Sequence, residues 1–146
     1  MSIVIRTSID IDAPARDVWA VLTDFPTYGQ WSNFSSIDGV AKEGTKLAMK
    51  MPGMSFGSTV TAAIPEQKLE WAAKIFSSGL FEGRHTFTLT RNGDGSTHLD
   101  NTETFSGALV WPLQGMFKQN HGRRANGYDG FNQALKRRVE SSPAAS

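Results

Sequence analysis

Gly107 to Glu140 reads GALVWPLQGMFKQNHGRRANGYDGFNQALKRRVE, and it is the one long segment whose apolar residues recur at helical spacing. Phe117, His121, Arg124 or Ala125, Tyr128, Phe131, Leu135 and Val139 follow steps of three and four, which sets them on one stripe of a helix. Apart from one short helix, everything before this segment reads as strands. A lone long helix after many antiparallel strands has to bury its stripe against one face of their sheet, because neither element hides its apolar side alone. The expected fold class is therefore α+β, with a curved sheet wrapped around a C-terminal helix. Gly115, Gly122, Gly127 and Gly130 also fall in this segment, and each interior glycine costs about 0.5–1 kcal/mol relative to alanine. Two readings of them stand: a kinked first half (112–122) before a firm second half, or room left between helix and sheet.

Working outward, Ile3, Ile5, Ile9 and Ile11 alternate with polar or exposed positions, the period of a half-buried strand. Asp12-Ala13-Pro14 then predicts a helix start, with Asp12 as the cap and proline in the first turn. Val18, Val21, Leu22 and Phe25 form the buried stripe of that helix, and Tyr28 to Trp31 reads as a turn or a second short helical piece. Further strands are expected near 34–41, 45–51, 56–64, 68–76, 81–91 and 96–106, and Asn92-Gly93-Asp94-Gly95 is the strongest hairpin signal between any two. Connections this short make neighbouring strands antiparallel. The segmentation predicts one domain over 1–140 and a disordered tail over 141–146.

Composition narrows the function. The chain has 146 residues, 15 basic and 14 acidic, for a net charge of +1, which argues against a nucleic-acid partner. It has no cysteine, which rules out disulfides and a thiol nucleophile. The start MSIVIRTSIDI is charged at Arg6 and Asp10, so neither a signal peptide nor membrane insertion is expected, and a cytoplasmic location is the default. His85, His98 and His121 lack metal-ligand spacing, so neither a metal nor another cofactor is expected. Oligomeric state is not legible.

The faces of the last two strands carry the functional signal. Phe81, Gly83, His85, Phe87 and Leu89 share one face, and Thr97, Leu99, Asn101, Glu103 and Phe105 share the facing set, a phase fixed by the apolar residues. His85, Asn101 and Glu103 therefore point at the helix, with His85 paired across from either Glu103 or Asn101. An inward carboxylate is costly unless it is partnered. Three readings stand: a structural network, polar contacts lining a ligand pocket, or an acid–base pair of the kind an enolisation, cyclisation or dehydration needs. Trp31 and Trp71, with Met49, Met51, Met54 and Met116, are candidates to surround the same interior, and His121 and Tyr128 reach it from the helix stripe.

Several local patterns resemble a known family. Ile9 to Pro14, Asp17 to Phe25, Tyr28 to Trp31, Leu69-Glu70-Trp71, Gly83 to Phe87, Glu103 to Gly107 and Asn132 to Lys136 are similar, in order and spacing, to blocks of the START-like superfamily, which includes the SRPBCC, polyketide cyclase/dehydrase and Bet v 1-like proteins. The resemblance implies a helix-grip fold: seven antiparallel strands, two short helices after the first, a long C-terminal helix and a hydrophobic cavity. It also implies a small hydrophobic ligand, lipid or polyketide-like, with cyclase/dehydrase chemistry as the alternative. Trp31-Ser32-Asn33-Phe34 departs from the Trp-Asn-Pro-Phe often seen in relatives, at the expected pocket mouth. The site expected from all of this comprises Trp31, Trp71, His85, Asn101, Glu103, Met116, His121 and Tyr128, with His85 and Glu103 as the catalytic candidates.

Overall fold

The computed structural model describes residues 2–75, 80–110, 112 and 121–141, with the side chains of 75 and 121–126 outside the description. Strand β1 (Ser2–Ile11) leads into α1 (Ala15–Leu22), a 3-10 turn (Phe25–Thr27) and the short α2 (Tyr28–Trp31). Strands β2 (Ser36–Asp38), β3 (Lys46–Met51), β4 (Met54–Ile64), β5 (Lys68–Ile75), β6 (Phe81–Arg91) and β7 (Thr97–Ser106) follow, and α3 (His121–Ser141) ends the described chain. The seven strands form one antiparallel sheet in the order β1-β7-β6-β5-β4-β3-β2. A register shift between Val60 and Ala62 puts a bulge into β4, the kind of irregularity that bends a sheet.

Several expectations need correction. The strand read over 34–41 is only Ser36–Asp38, because Phe34 turns into the core while Val40 stands in solvent. Asp12 does not cap α1. The cap position is Pro14, and the Asp12 backbone N–H donates instead to Glu140 Oε2 at 2.9 Å, tying the end of α3 to the β1–α1 turn. Within the stripe of the first helical region Val18, Leu22 and Phe25 are buried but Val21 is half-buried, and Phe25 belongs to the 3-10 turn. Ser141 closes α3 rather than opening a disordered tail; 142–146 lie outside the described residues.

In α3, Phe131, Leu135 and Val139 are buried as their spacing predicts, whereas Phe117 and the side chains at 121–125 lie outside the described residues. Gly127 and Gly130 are exposed, with open space where a Cβ would stand, so these two make no room between helix and sheet. Gly115 and the side-chain position of Gly122 lie outside the description.

The inner face of the sheet carries two apolar clusters. The larger gathers Ile11, Val18, Leu22, Phe25, Tyr28 and Trp71 with Phe87, Leu89, Leu99, Phe131 and Leu135. The smaller holds Ile5, Phe81, Phe105 and Val110, with Tyr128 packed against it. At the exit of β7, Gly107 has φ +115° and a Cβ there would sit 2.5 Å from Leu80 O, so only glycine fits.

Candidate functional site

Between the two clusters the inner face turns polar, at one level on β1, β7, β6 and α3, while β5 carries Trp71 there. On β1, Thr7 separates Ile5 from Ile9; on β7, Asn101 and Glu103 separate Leu99 from Phe105; on β6, Gly83 and His85 separate Phe81 from Phe87; on α3, Asn132 lies between Tyr128 and Leu135. The strand register fixes this alignment, pairing Thr7 with Asn101 and His85 with Glu103.

These side chains form one connected polar seam. Glu103 Oε2 lies 3.2 Å from His85 Nδ1, and His85 Nε2 lies 2.5 Å from Asn101 Oδ1. Asn101 Nδ2 donates to Asn132 Oδ1 at 2.8 Å, and Asn132 Nδ2 donates to Thr7 Oγ1 at 2.9 Å. Thr7 Oγ1 in turn donates to the backbone oxygen of Asn101 at 3.1 Å. Asn101 is fully buried, Asn132 is 1% exposed and His85 9%. Of the two pairings left open by the sequence the register realises one, His85 opposite Glu103, with Asn101 opposite Phe87; the His85 ring reaches Asn101 diagonally. Burial pushes the His85 pKa down to about 4, with the Asn101 contact working the other way.

Aromatic rings close around the imidazole. Phe87 stacks on it at 4.4 Å between centroids, Trp71 lies at 5.2 Å, and Tyr128 meets it edge-on at 5.6 Å. Gly83 gives the carboxylate its space, since a Cβ there would stand 3.1 Å from Glu103 Oε1. The structure therefore brings together Trp71, His85, Asn101, Glu103 and Tyr128.

Trp31 is elsewhere. It packs on Tyr28 and Phe131 at centroid distances of 4.8 and 5.2 Å, and its buried Nε1–H has no hydrogen-bond partner among the described residues. Met49 is core, with its sulfur accepting from Ser58, and Met51 is half-buried. Met54 is 54% exposed and corrects its expected place in the interior. Met116 and the His121 side chain lie outside the described residues.

Three cavities are lined by described residues: about 960 Å³ along the outer side of β3–β6 beside Lys46, Ala72 and Arg84, about 610 Å³ beside Trp31 and the end of α3, and about 400 Å³ between α2 and β3. None of these includes His85, Asn101 or Glu103. Among the described residues no group of three or more potential ligands could hold a metal ion, and no helix is long and apolar enough to cross a membrane.

Neither Thr7 nor Asn132 is among the site residues expected from the sequence, although both lie in its patterns. Thr7 continues the alternation of Ile3, Ile5, Ile9 and Ile11, and Asn132 stands four residues after Tyr128 and three before Leu135. Each was passed over because it is polar within an apolar series.

A seven-stranded antiparallel sheet with two short helices after its first strand and a long C-terminal helix packed on one face is the helix-grip fold of START-like proteins. The chain belongs to the family described as "Polyketide cyclase / dehydrase and lipid transport", whose profile matches residues 2–140. No curated protein matches it. Among solved structures it is similar to a START superfamily protein from Mycobacterium smegmatis, at 19% identity and a TM-score of 0.73, covering 96% of this chain and 99% of that one. It is similar to DynU16 of the dynemicin biosynthetic locus at 21% identity and TM-score 0.74, covering 94% of this chain and 47% of that one. The di-domain ARO/CYC StfQ of the steffimycin pathway follows at 12% and 0.75, with coverages of 96% and 51%. The chain thus spans about half the length of the last two.

Proposed function

We propose that the protein binds a small hydrophobic molecule, lipid or polyketide-like, on the inner face of the sheet against α3, with the polar seam supplying its oriented contacts. The observation that carries this reading is a carboxyl group and an imidazole meeting at 3.2 Å among Trp71, Phe105 and Tyr128. Burying such groups costs several kcal/mol each before partners offset it, so an apolar replacement would serve stability better. The family match supports a ligand of this class.

Native mass spectrometry of the protein as purified, compared with its mass after denaturation, tests the reading. A discrete extra mass that leaves on denaturation supports it. Glu103→Gln then separates binding from structure: ligand affinity falls while the melting temperature holds. A variant that melts early yet binds as before would show the pair to be structural.

A second reading has its own support in the same contact, because an imidazole and a carboxyl within hydrogen-bond reach can act as acid and base in a cyclisation or dehydration. The family description, which names polyketide cyclases, and the similar fold of the ARO/CYC protein StfQ support trying polyketide-like substrates first. A pH–rate profile left unchanged by His85→Ala would sink this reading.

A further inference from the structure

The sheet parts at one end. Residues 54–58 of β4 pair with β3 and residues 73–75 of β5 pair with β6, but the ladder between β4 and β5 begins only at Thr59 and Ala72. The cavity of about 960 Å³ on the outer side lies at this notch, with Ala48, Gly57 and Ala72 in its lining. A concave space of that order is the size of a small-molecule site.

Gly57 has no structural reason to be glycine. Inside a strand the residue weakens pairing, and it marks a bulge, a tight bend, or a place where a ligand or another backbone comes close. The bulge of β4 lies further on, between Val60 and Ala62. Gly57 does not have a left-handed φ. A Cβ there would meet only Leu47 O among the described residues, at an ordinary 3.8 Å. What remains is the approach of a ligand to an open floor.

Positive charge gathers around that floor. Ala48 pairs with Gly57, and Lys46 and Lys50 stand on either side of Ala48 on the outward face of β3. Each is a cross-strand diagonal of Gly57, about 7–8 Å away and within the reach of a lysine side chain. Lys74 lines the cavity from β5, two residues beyond Ala72. All three are exposed, and none is in an ion pair among the described residues. Arg84 also lines the cavity but is held by Glu70 at 2.8 Å and Glu82 at 3.5 Å. The carboxylates of the lining are Asp38 and Glu82, so four cations face two anions. A lysine ammonium is a compact point charge with rotatable donors, which suits a tetrahedral, multiply charged anion better than the planar carboxylate an arginine fork grips.

We propose that this notch is a binding site for a phosphate-type anion, held by Lys46, Lys50 and Lys74 over the bare floor at Gly57. It lies on the face of the sheet opposite the polar seam and is independent of the ligand proposed there.

Titration of the nitrogen-15-labelled protein with inorganic pyrophosphate tests it, at about 0.15 M sodium chloride so that distant charges are screened. Saturable shifts should gather at the backbone amides of Ala48, Gly57 and Ala72. Lys46→Gln, Lys50→Gln and Lys74→Gln should each weaken binding by up to about fivefold, and Asp38→Asn should strengthen it. Gly57→Val fills the floor with a residue strands favour, so binding should be lost while the melting temperature holds or rises. Flotation with phosphatidylcholine vesicles doped with phosphatidic acid separates the sources of the phosphate. Binding of pyrophosphate alone points to a free phosphate compound, and vesicle binding that the triple lysine variant loses points to a lipid headgroup. The proposal is overturned by the absence of both, or by an adventitious ion only, seen as shifts that the triple variant leaves unchanged or that gather at Arg137 and Arg138.

Discussion

Asn132→Leu is the most informative single change. It keeps roughly the volume of a side chain that is 1% exposed and removes both of its hydrogen bonds, to Asn101 at 2.8 Å and Thr7 at 2.9 Å. Each bond is worth about 1 kcal/mol net, and leaving the Asn101 amide buried without its acceptor adds about 1–3 kcal/mol. The apolar atoms of leucine return about 1 kcal/mol, so the net loss is about 2–4 kcal/mol. For a chain of this length each kcal/mol moves the melting point by about 4 °C, giving a drop of about 8–16 °C. Urea denaturation followed by tryptophan fluorescence reads it directly, with the slope on denaturant unchanged. A double-mutant cycle with Thr7→Val should return a coupling of about 0.5–1.5 kcal/mol. A loss below about 0.5 kcal/mol, the range of an ordinary surface change, would refute the reasoning and remove Asn132 from the seam.

Gly83→Ala should change stability by less than about 1 kcal/mol, since the alanine relieves strand entropy while its Cβ pushes on Glu103 Oε1 at 3.1 Å; the signature is a shifted His85 Nδ1 resonance with little change in melting. Glu70, on the outer face, accepts from Thr61, Arg84 and Thr86, and these bonds outweigh burial to lower its pKa from 4.5. Its stabilisation is therefore present above 4.5 and lost as pH falls through the lower folded value, so Glu70→Gln should flatten the acid limb of stability measured from pH 6 to pH 3. The hydrogen bond that the His98 Nδ1–H donates to Asp10 raises the His98 pKa above 6.5, a contribution present below 6.5 and lost as pH rises through the folded value. Proton NMR of Asp10→Asn should find the His98 titration moved back down, while His85 stays neutral throughout.

The fold was legible because alternation by two up to Phe105 gives way, in Gly107 to Glu140, to a stripe at steps of three and four that begins at Phe117. The phase of β6 and β7 was legible for the same reason, and it brought His85 to Glu103. The identity of the diagonal partner was not, because a register gives the opposite residue and not the rotamer that lets an imidazole reach Asn101 two residues away. Thr7 and Asn132 were hidden by hydropathy, which marks a buried amide and a solvated one alike. Asp12 was misread because a capping residue type and a tether to α3 look the same until Glu140, far along the chain, arrives to take its N–H.

A seam of this kind also divides the protein into parts that need not open together. On one side of it the larger cluster is clasped by α1, α2 and the end of α3; on the other, Ile5, Phe81, Phe105 and Val110 are buried, with Tyr128, Ile3 and Leu109 among the described residues packed against them. Water reaching the seam meets groups that can hydrogen-bond it, so separating the smaller cluster does not require breaking the larger. Backbone amides of Ile3, Ile5 and Phe105 should then exchange with solvent by a lower-energy opening than those of Ile9, Ile11 and Leu99 on the same two strands. Amides and a hydroxyl thus cross the core between the two clusters, and under the proposed ligand-binding reading an apolar guest would enter by the end that yields first.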